Sequence, residues 1–409
     1  MNNFKIYFLS VLVTTSAYAQ QIGAINCSPS GENPTILIYT AQDLNDFAQC
    51  VNSGNSEQGV TVKLMNNIDL QGNAFTPIGQ ESVAFAGVFD GQYSESKFAT
   101  INNLTINGAN GSIGLFGNIQ SPAVIRNLKI NRLTLSGNST ATNGVNMGGV
   151  VGYNKRGVIS NVSIITGIIG TNYSQGSVLV GGLVGDNEGT IIHSSASIIY
   201  NTTGGGGYGG LVGQNGGEIL DSHAYSNLII NGNGGVISSG GLVGVFNAGI
   251  IDNSYSIGKM ATTNSSSTAA TGGLVGVMMS GQVSNTYSSV AVTNQGEYSI
   301  ASSLIGAYLG GNPTNDILTN SYATGLVSGA SVSGGLVVSK GVVSAPLNCE
   351  NSYWNSETTG QTSSSSCPSG GRTTAQMMQA STYSGFDFTN IWGITSTKNY
   401  GYPYLYSNS

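Results

Sequence analysis

The chain has 409 residues, with 12 Lys and Arg against 18 Asp and Glu, for a net charge of −6. Charged residues make up 7% of it, against roughly 25% in an average domain, and no run of Lys or Arg exists to track phosphates, which argues against a nucleic-acid partner. Glycine is abundant at 61 residues, yet Val, Ile and Leu return on a regular schedule, so the composition also excludes a disordered chain.

Residues 1–19 read as an export signal. Lys5 is the positive start, residues 6–13 (IYFLSVLV) are the apolar stretch, and Ala17-Tyr18-Ala19 is the cleavage signature. The apolar stretch is too short for a stable membrane anchor. No later segment is apolar enough to span a bilayer, so the processed chain is expected to be exported, either secreted, displayed at the cell surface or periplasmic. The four cysteines fit an oxidising compartment. Three connectivities are open. Pairing Cys27 with Cys50 and Cys349 with Cys367 is preferred because each pair brackets one end of the repeat region. Neither pair has metal-site spacing, and His193 and His223 are the only other soft ligands, so no metal and no cofactor are expected.

Residues 20–113 form an N-terminal cap and the first coils. Thr40-Ala41-Gln42-Asp43 is a capping-box pattern followed by Leu44, Phe47, Ala48 and Val51 on one helical face, which predicts one short helix. Residues 114–345 are repeats. GGLVGDNEGTIIHSS, GGLVGQNGGEILDSH, GGLVGVFNAGIIDNS and GGLVGVMMSGQVSNT are near copies of one phrase. The last glycine of each phrase falls at Gly117, Gly152, Gly185, Gly213, Gly244, Gly276 and Gly306, a period near thirty residues. Each unit holds three short β-branched pieces between glycines and asparagines, which is no place for a helix. Such a unit cannot bury its own apolar face, but stacked units can. The expectation is an all-β, right-handed parallel β-helix (β-solenoid) of triangular section. Residues 346–409 form a C-terminal cap, with a short helix in TTAQMMQA and an aromatic stretch, FDFTNIWGI to YGYPYLY, as a terminal plug.

Stacking makes columns. Four residues after the leading glycine of the second piece come Asn161, His193, Asp221, Asn253 and Asn285, continued by Asn320 and Asn351; they read as a hydrogen-bonded polar ladder. Two residues further come Ser163, Ser195, His223, Tyr255, Tyr287, Tyr322 and Tyr353, a column that turns aromatic toward the C-terminus.

These phrases resemble the bacterial GLUG-motif repeat family. GLFG at 114–117 and GLVG at 182–185, 210–213, 241–244 and 273–276 carry the resemblance. The flanks NIDLQGNAFTPIG, FAGVFDG and NSYWNSETTGQ are similar to that family too. The resemblance implies exported or surface-associated proteins with adhesin-like roles, and it supplies no reaction.

Catalytic patterns are sparse. The residue after the last glycine of the phrase is acidic only at Asp186, which argues against a calcium ladder. Gly204, Gly206 and Gly209 match a G-x-G-x-x-G pattern, but no helix follows. His193 and Asp221 fall on neighbouring coils, as a general base would need, with Ser195 or Ser222 as conceivable nucleophiles; ladder positions explain them more simply. Asp186, Glu188 and Glu218 form an acidic patch and are the catalytic candidates if the chain is a polysaccharide hydrolase or lyase. The favoured expectation is a non-enzymatic adhesin or matrix-binding scaffold that contacts glycans or a host surface, with Tyr255, Tyr287, Tyr322 and Tyr353 as binding candidates, although a structural stack explains that column more simply. A purely structural spacer is the third reading.

Overall fold

The computed structural model describes residues 25–139, 144–173, 177–232, 235–264, 268–312, 314–339 and 347–408. The export signal with its cleavage site after Ala19 lies outside the described residues. From the first turns the chain winds as a parallel β-solenoid. Two sheets of 8 strands and one of 22 make its faces, and each 8-stranded sheet receives one strand per coil. The phrase ruler is the register of one face: Phe116, Val151, Val184, Val212, Val243, Val275, Ile305 and Val337 pair in succession.

The first glycine of GGLVG exists for close approach. A Cβ at Gly148, Gly181, Gly209, Gly240 or Gly272 would lie 1.8–2.2 Å from the carbonyl oxygen three residues on, so any side chain there would open the turn between two faces. The leucine of the phrase then points inward: Leu183, Leu211, Leu242, Leu274 and Leu304 are fully buried in one continuous core.

A middle coil holds four strands, where the sequence suggested three: Ile237–Gly240, Val243–Phe246, Ile250–Asp252 and Tyr255–Thr263. The extra break falls at the polar column. Asn161, His193, Asp221, Asn253, Asn285, Asn320 and Asn351 all have φ between +47° and +55°. In the middle coils this left-handed residue falls between a short strand and a long one. Asn and Asp tolerate that conformation better than other residues with a Cβ, and His does so to a lesser degree. The column is therefore a backbone corner first. Side chains of the column also bond to neighbouring coils: Asn161 Nδ2 donates to Asn127 Oδ1 at 2.9 Å, and Asn285 Nδ2 to Asp252 Oδ1 at 2.9 Å.

Helix α1 (Ala41–Asn52) begins with the expected reciprocal capping box between Thr40 and Asp43. It buries Leu44, Phe47, Ala48 and Val51, and Phe47 meets Phe85 and Phe89 at ring separations of 6.0 and 6.2 Å. At the other end, Thr374–Met377 is a single helical turn with its own capping box. The aromatic stretch after it packs on Tyr353 of the last coil, with Tyr383 at a ring separation of 5.5 Å. It folds back along the flank: Trp392 lies 6.2 Å from Tyr287 and 5.9 Å from Tyr322. Both disulfides join the sequence-local partners, Cys27 to Cys50 and Cys349 to Cys367, as befits an oxidising environment. Among the described residues no helix is long and apolar enough to cross a membrane.

Candidate functional site

The recurring triplet Asn-Ser-Tyr builds one flank, and each letter has its own task. The asparagine makes the left-handed corner. The next residue is a buried Ser or Thr at 194, 222, 254, 286, 321 and 352. The hydroxyls of Ser194, Ser222, Ser254, Ser321 and Ser352 donate to the carbonyl two residues back. The third residue starts the long strand and points outward. Its column pairs Ser163, Ser195, His223, Tyr255, Tyr287, Tyr322 and Tyr353 in register.

Coil spacing sets the rings face to face. His223 stacks on Tyr255 at 4.7 Å, Tyr255 on Tyr287 at 4.7 Å and Tyr287 on Tyr322 at 5.2 Å, with interplanar angles of 3–8°. The sequence reading offered these tyrosines as a structural stack or as an exposed binding surface, and the structure removes the exposure. Tyr255, Tyr287, Tyr322 and Tyr353 are at most 6% exposed. The folded-back tail covers them with Met377, Tyr383, Phe386, Trp392, Tyr402 and Leu405. Burial holds the hydroxyls of Tyr255, Tyr287 and Tyr322 well above the usual phenol range.

The cover leaves a groove of about 290 Å³ where the tail meets the strands, lined by Tyr225, Tyr255, Ile257 and Tyr287 of the strands and by Lys398, Asn399, Tyr400, Tyr404 and Leu405 of the tail. Tyr225 is 44% and Tyr400 90% exposed. Lys398 Nζ sits 4.7 Å from the centre of the Tyr404 ring. Sequence reasoning missed this groove. The density of tyrosines in residues 400–406 was the available signal.

The acidic candidates are divided. Asp186 lies on the phrase strand Val184–Asn187, where Gln214 Nε2 donates to it at 3.3 Å. Burial first, and then the neighbouring Glu188 charge, raise its pKa to about 6. Glu188 also bonds Tyr153, whose hydroxyl is pushed up to about 12 by burial and by that carboxylate. Glu218 sits on a different sheet, beside Thr190, which donates to it at 3.3 Å. Between the two sheets runs a buried asparagine ladder that the sequence reading did not find. Asn154 Nδ2 donates to Asn187 Oδ1, and Asn187 Nδ2 to Asn215 Oδ1, both at 2.7 Å. The signal was present in VGYN, VGDN and VGQN.

The His–Asp idea has weak geometry. His193 Nδ1 lies 3.8 Å from Asp221 Oδ2, beyond hydrogen-bond reach, and both side chains occupy corner positions. The Ser222 hydroxyl is committed to Leu220 O at 2.7 Å. No group of three or more metal-ligating side chains occurs among the described residues.

These features define a parallel β-solenoid with a stacked aromatic flank. No family model matches the chain, and no curated protein does. Among solved structures it is similar to a Bacteroides ovatus protein provisionally named an immunoglobulin A1 protease, at 15% identity and a TM-score of 0.45, covering 93% of this chain and 94% of that one. It is also similar to an IgA1 protease at 18% identity and a TM-score of 0.44. That match covers 72% of this chain, which spans 21% of the longer protein.

Proposed function

We propose that the chain is an exported, non-enzymatic binding scaffold of the adhesin or matrix-protein kind, which holds a glycan or a host surface across one face. The GLUG-like phrases support a place among exported adhesin-like repeat proteins. The observation that carries the reading is the outer face of five long strands, Val158–Tyr173, Ser195–Thr203, His223–Asn231, Tyr255–Thr263 and Tyr287–Gln295. Beyond the Ser163–Tyr287 column, whose Tyr255 and Tyr287 lie under the tail, their outward positions carry Ser, Thr, Asn, Gln, Gly, Ile, Tyr and Ala, with Lys259 as the one Lys, Arg, Asp or Glu. At β-strand spacing this face measures about 23 Å by about 20 Å. A flat face with so little charge suits an extended neutral partner held by area and many hydrogen bonds.

The second reading is a polysaccharide hydrolase or lyase. Asp186 favours it, because a carboxyl with a pKa near 6 beside the carboxylate of Glu188 is the kind of pair that divides acid and base roles. The purified chain on a glycan and matrix-protein array, with soluble products assayed in the same wells, separates the two. Retention without product supports the scaffold. Product that disappears in Asp186→Asn or Glu188→Gln replaces it with the enzyme.

A further inference from the structure

The groove beside the tyrosine column is built around a residue that the fold alone would not choose. Asn399 and Tyr400 are consecutive left-handed residues, with φ of +44° and +55°. The first is an ordinary place for asparagine. The second is costly for a tyrosine, by about 1–2 kcal/mol, and packing does not offset the cost, because the Tyr400 side chain is 90% exposed. The strained residue is one of those that line the groove.

Tyr225 belongs to the long strand on the solenoid side of the same groove. Its Oη lies 3.0 Å from Tyr255 Oη, and its ring meets His223 edge to face at 5.2 Å, so it is fixed while still half-exposed. Asn399 is fixed too: its Nδ2 donates to Tyr322 Oη at 2.8 Å and to Pro403 O at 2.6 Å. The result is a cleft with aromatic faces and a rim of phenol hydroxyls, an amide and one ammonium group. Its volume is at the lower end for small-ligand clefts.

The chemistry of that lining selects an occupant. A sugar ring with equatorial hydroxyls is apolar on its two C–H faces and polar around its edge. It matches aromatic walls and a polar rim together. A phosphate or sulfate would meet the single cation Lys398, which already rests on the Tyr404 ring. The adjoining face, with Lys259 as its one charge, continues the same neutral surface.

We infer that this groove is a subsite for a neutral pyranose ring of an extended glycan, stacked on Tyr225 and Tyr400. The inference rests on the scaffold reading and gives it a ligand class and an address.

The test is isothermal titration of the purified chain with cellohexaose and chitohexaose. Binding is expected, with Tyr225→Ala and Tyr400→Ala each weakening it about three- to tenfold. Tyr400→Gly is expected to weaken it as much while leaving Tm unchanged or higher, since glycine relaxes a left-handed residue. A purely structural Tyr400 would not give that split. Tyr298→Ala removes a tyrosine that is 50% exposed and does not line the groove, and should bind as the parent does. Binding that survives both Tyr225→Ala and Tyr400→Ala would overturn the groove as the address. Failure to bind either hexasaccharide, by a chain still retained on the array, would overturn the sugar-ring inference and leave the scaffold standing. Failure on both would overturn both.

Discussion

The backbone N–H of Ser194 donates to the side-chain Oγ of Ser222, its counterpart one coil on, at 3.1 Å. The contact recurs from Ser222 to Ser254, Thr286 to Ser321 and Ser321 to Ser352. The left-handed corner just before each serine turns one N–H away from the regular sheet ladder, and the next coil's hydroxyl takes it. Corner and ladder are thus one device, which lets the solenoid turn without burying an unpaired donor.

Ser222→Ala leaves the Ser194 N–H buried without that acceptor. A loss of about 1–3 kcal/mol is expected, read by urea unfolding followed by circular dichroism. Ser222→Thr keeps the hydroxyl, as Thr286 does at the equivalent place, and should stay much nearer the parent. Equal losses in the two variants would show that packing, and not the hydrogen bond, matters there.

The corner itself gives a second comparison. Asn253 has φ +48°. Asn253→Gly should change stability by less than about 1 kcal/mol, because glycine enters this region without a steric penalty. Asn253→Val should lose about 1–2 kcal/mol more, because a β-branched side chain does not tolerate it. If Val matched Gly in the same unfolding assay, the amide contacts of the column would have to replace backbone conformation as its reason.

Glu57 predicts a pH dependence. It is 6% exposed, and its Oε1 is buried with no hydrogen-bond partner. Burial raises its pKa from 4.5 to about 7. Below pH 4.5 the carboxyl is neutral in both folded and unfolded chains and carries no penalty. As pH rises from 4.5 to about 7 the unfolded chain ionises first, so the stability this group permits is progressively lost; above about 7 the loss is constant. Glu57→Gln should gain on the parent across that window, by up to about 3 kcal/mol, in thermal melts at a series of pH values. A difference independent of pH would contradict the assignment.

How much of this was legible in the sequence depended on whether the cause was periodic. The glycine-leucine phrases and the Ser163–Tyr353 column could be read because a solenoid repeats its geometry in its spelling, and the pairings fall on the expected positions. The Asn253 column was found but first given a hydrogen-bonding cause, since a sequence does not display φ. The buried ladder of Asn154, Asn187 and Asn215 was overlooked because asparagine between nearby glycines reads as a turn. The course of the tail along the flank was not legible for a different reason. Nothing periodic ties Trp392 to Tyr287, and an aromatic segment of that length fits an open end or a flank equally well.

That tail gives the last prediction. Its aromatic cluster is separate from the solenoid interior: Phe386, Trp392 and Tyr402 pack with the tyrosine column, while the leucines of the coils form their own core. Trp392 is the centre of the attachment, fully buried and 4.8 Å from Phe386. Trp392→Ala should therefore weaken docking of the tail by about 3–5 kcal/mol without unfolding the coils, whose strands keep their own ladder bonds and core. In hydrogen exchange, residues 374–408 should lose protection while the long strands retain it. Tyrosine titration reports the same event differently. In the parent, burial keeps Tyr255, Tyr287, Tyr322 and Tyr383 from ionising in the usual phenol range. In Trp392→Ala that shield is removed, and additional tyrosines should titrate near pH 10. Loss of strand protection together with the tail, in a single cooperative transition, would mean that the tail holds the coils and is not merely laid over them.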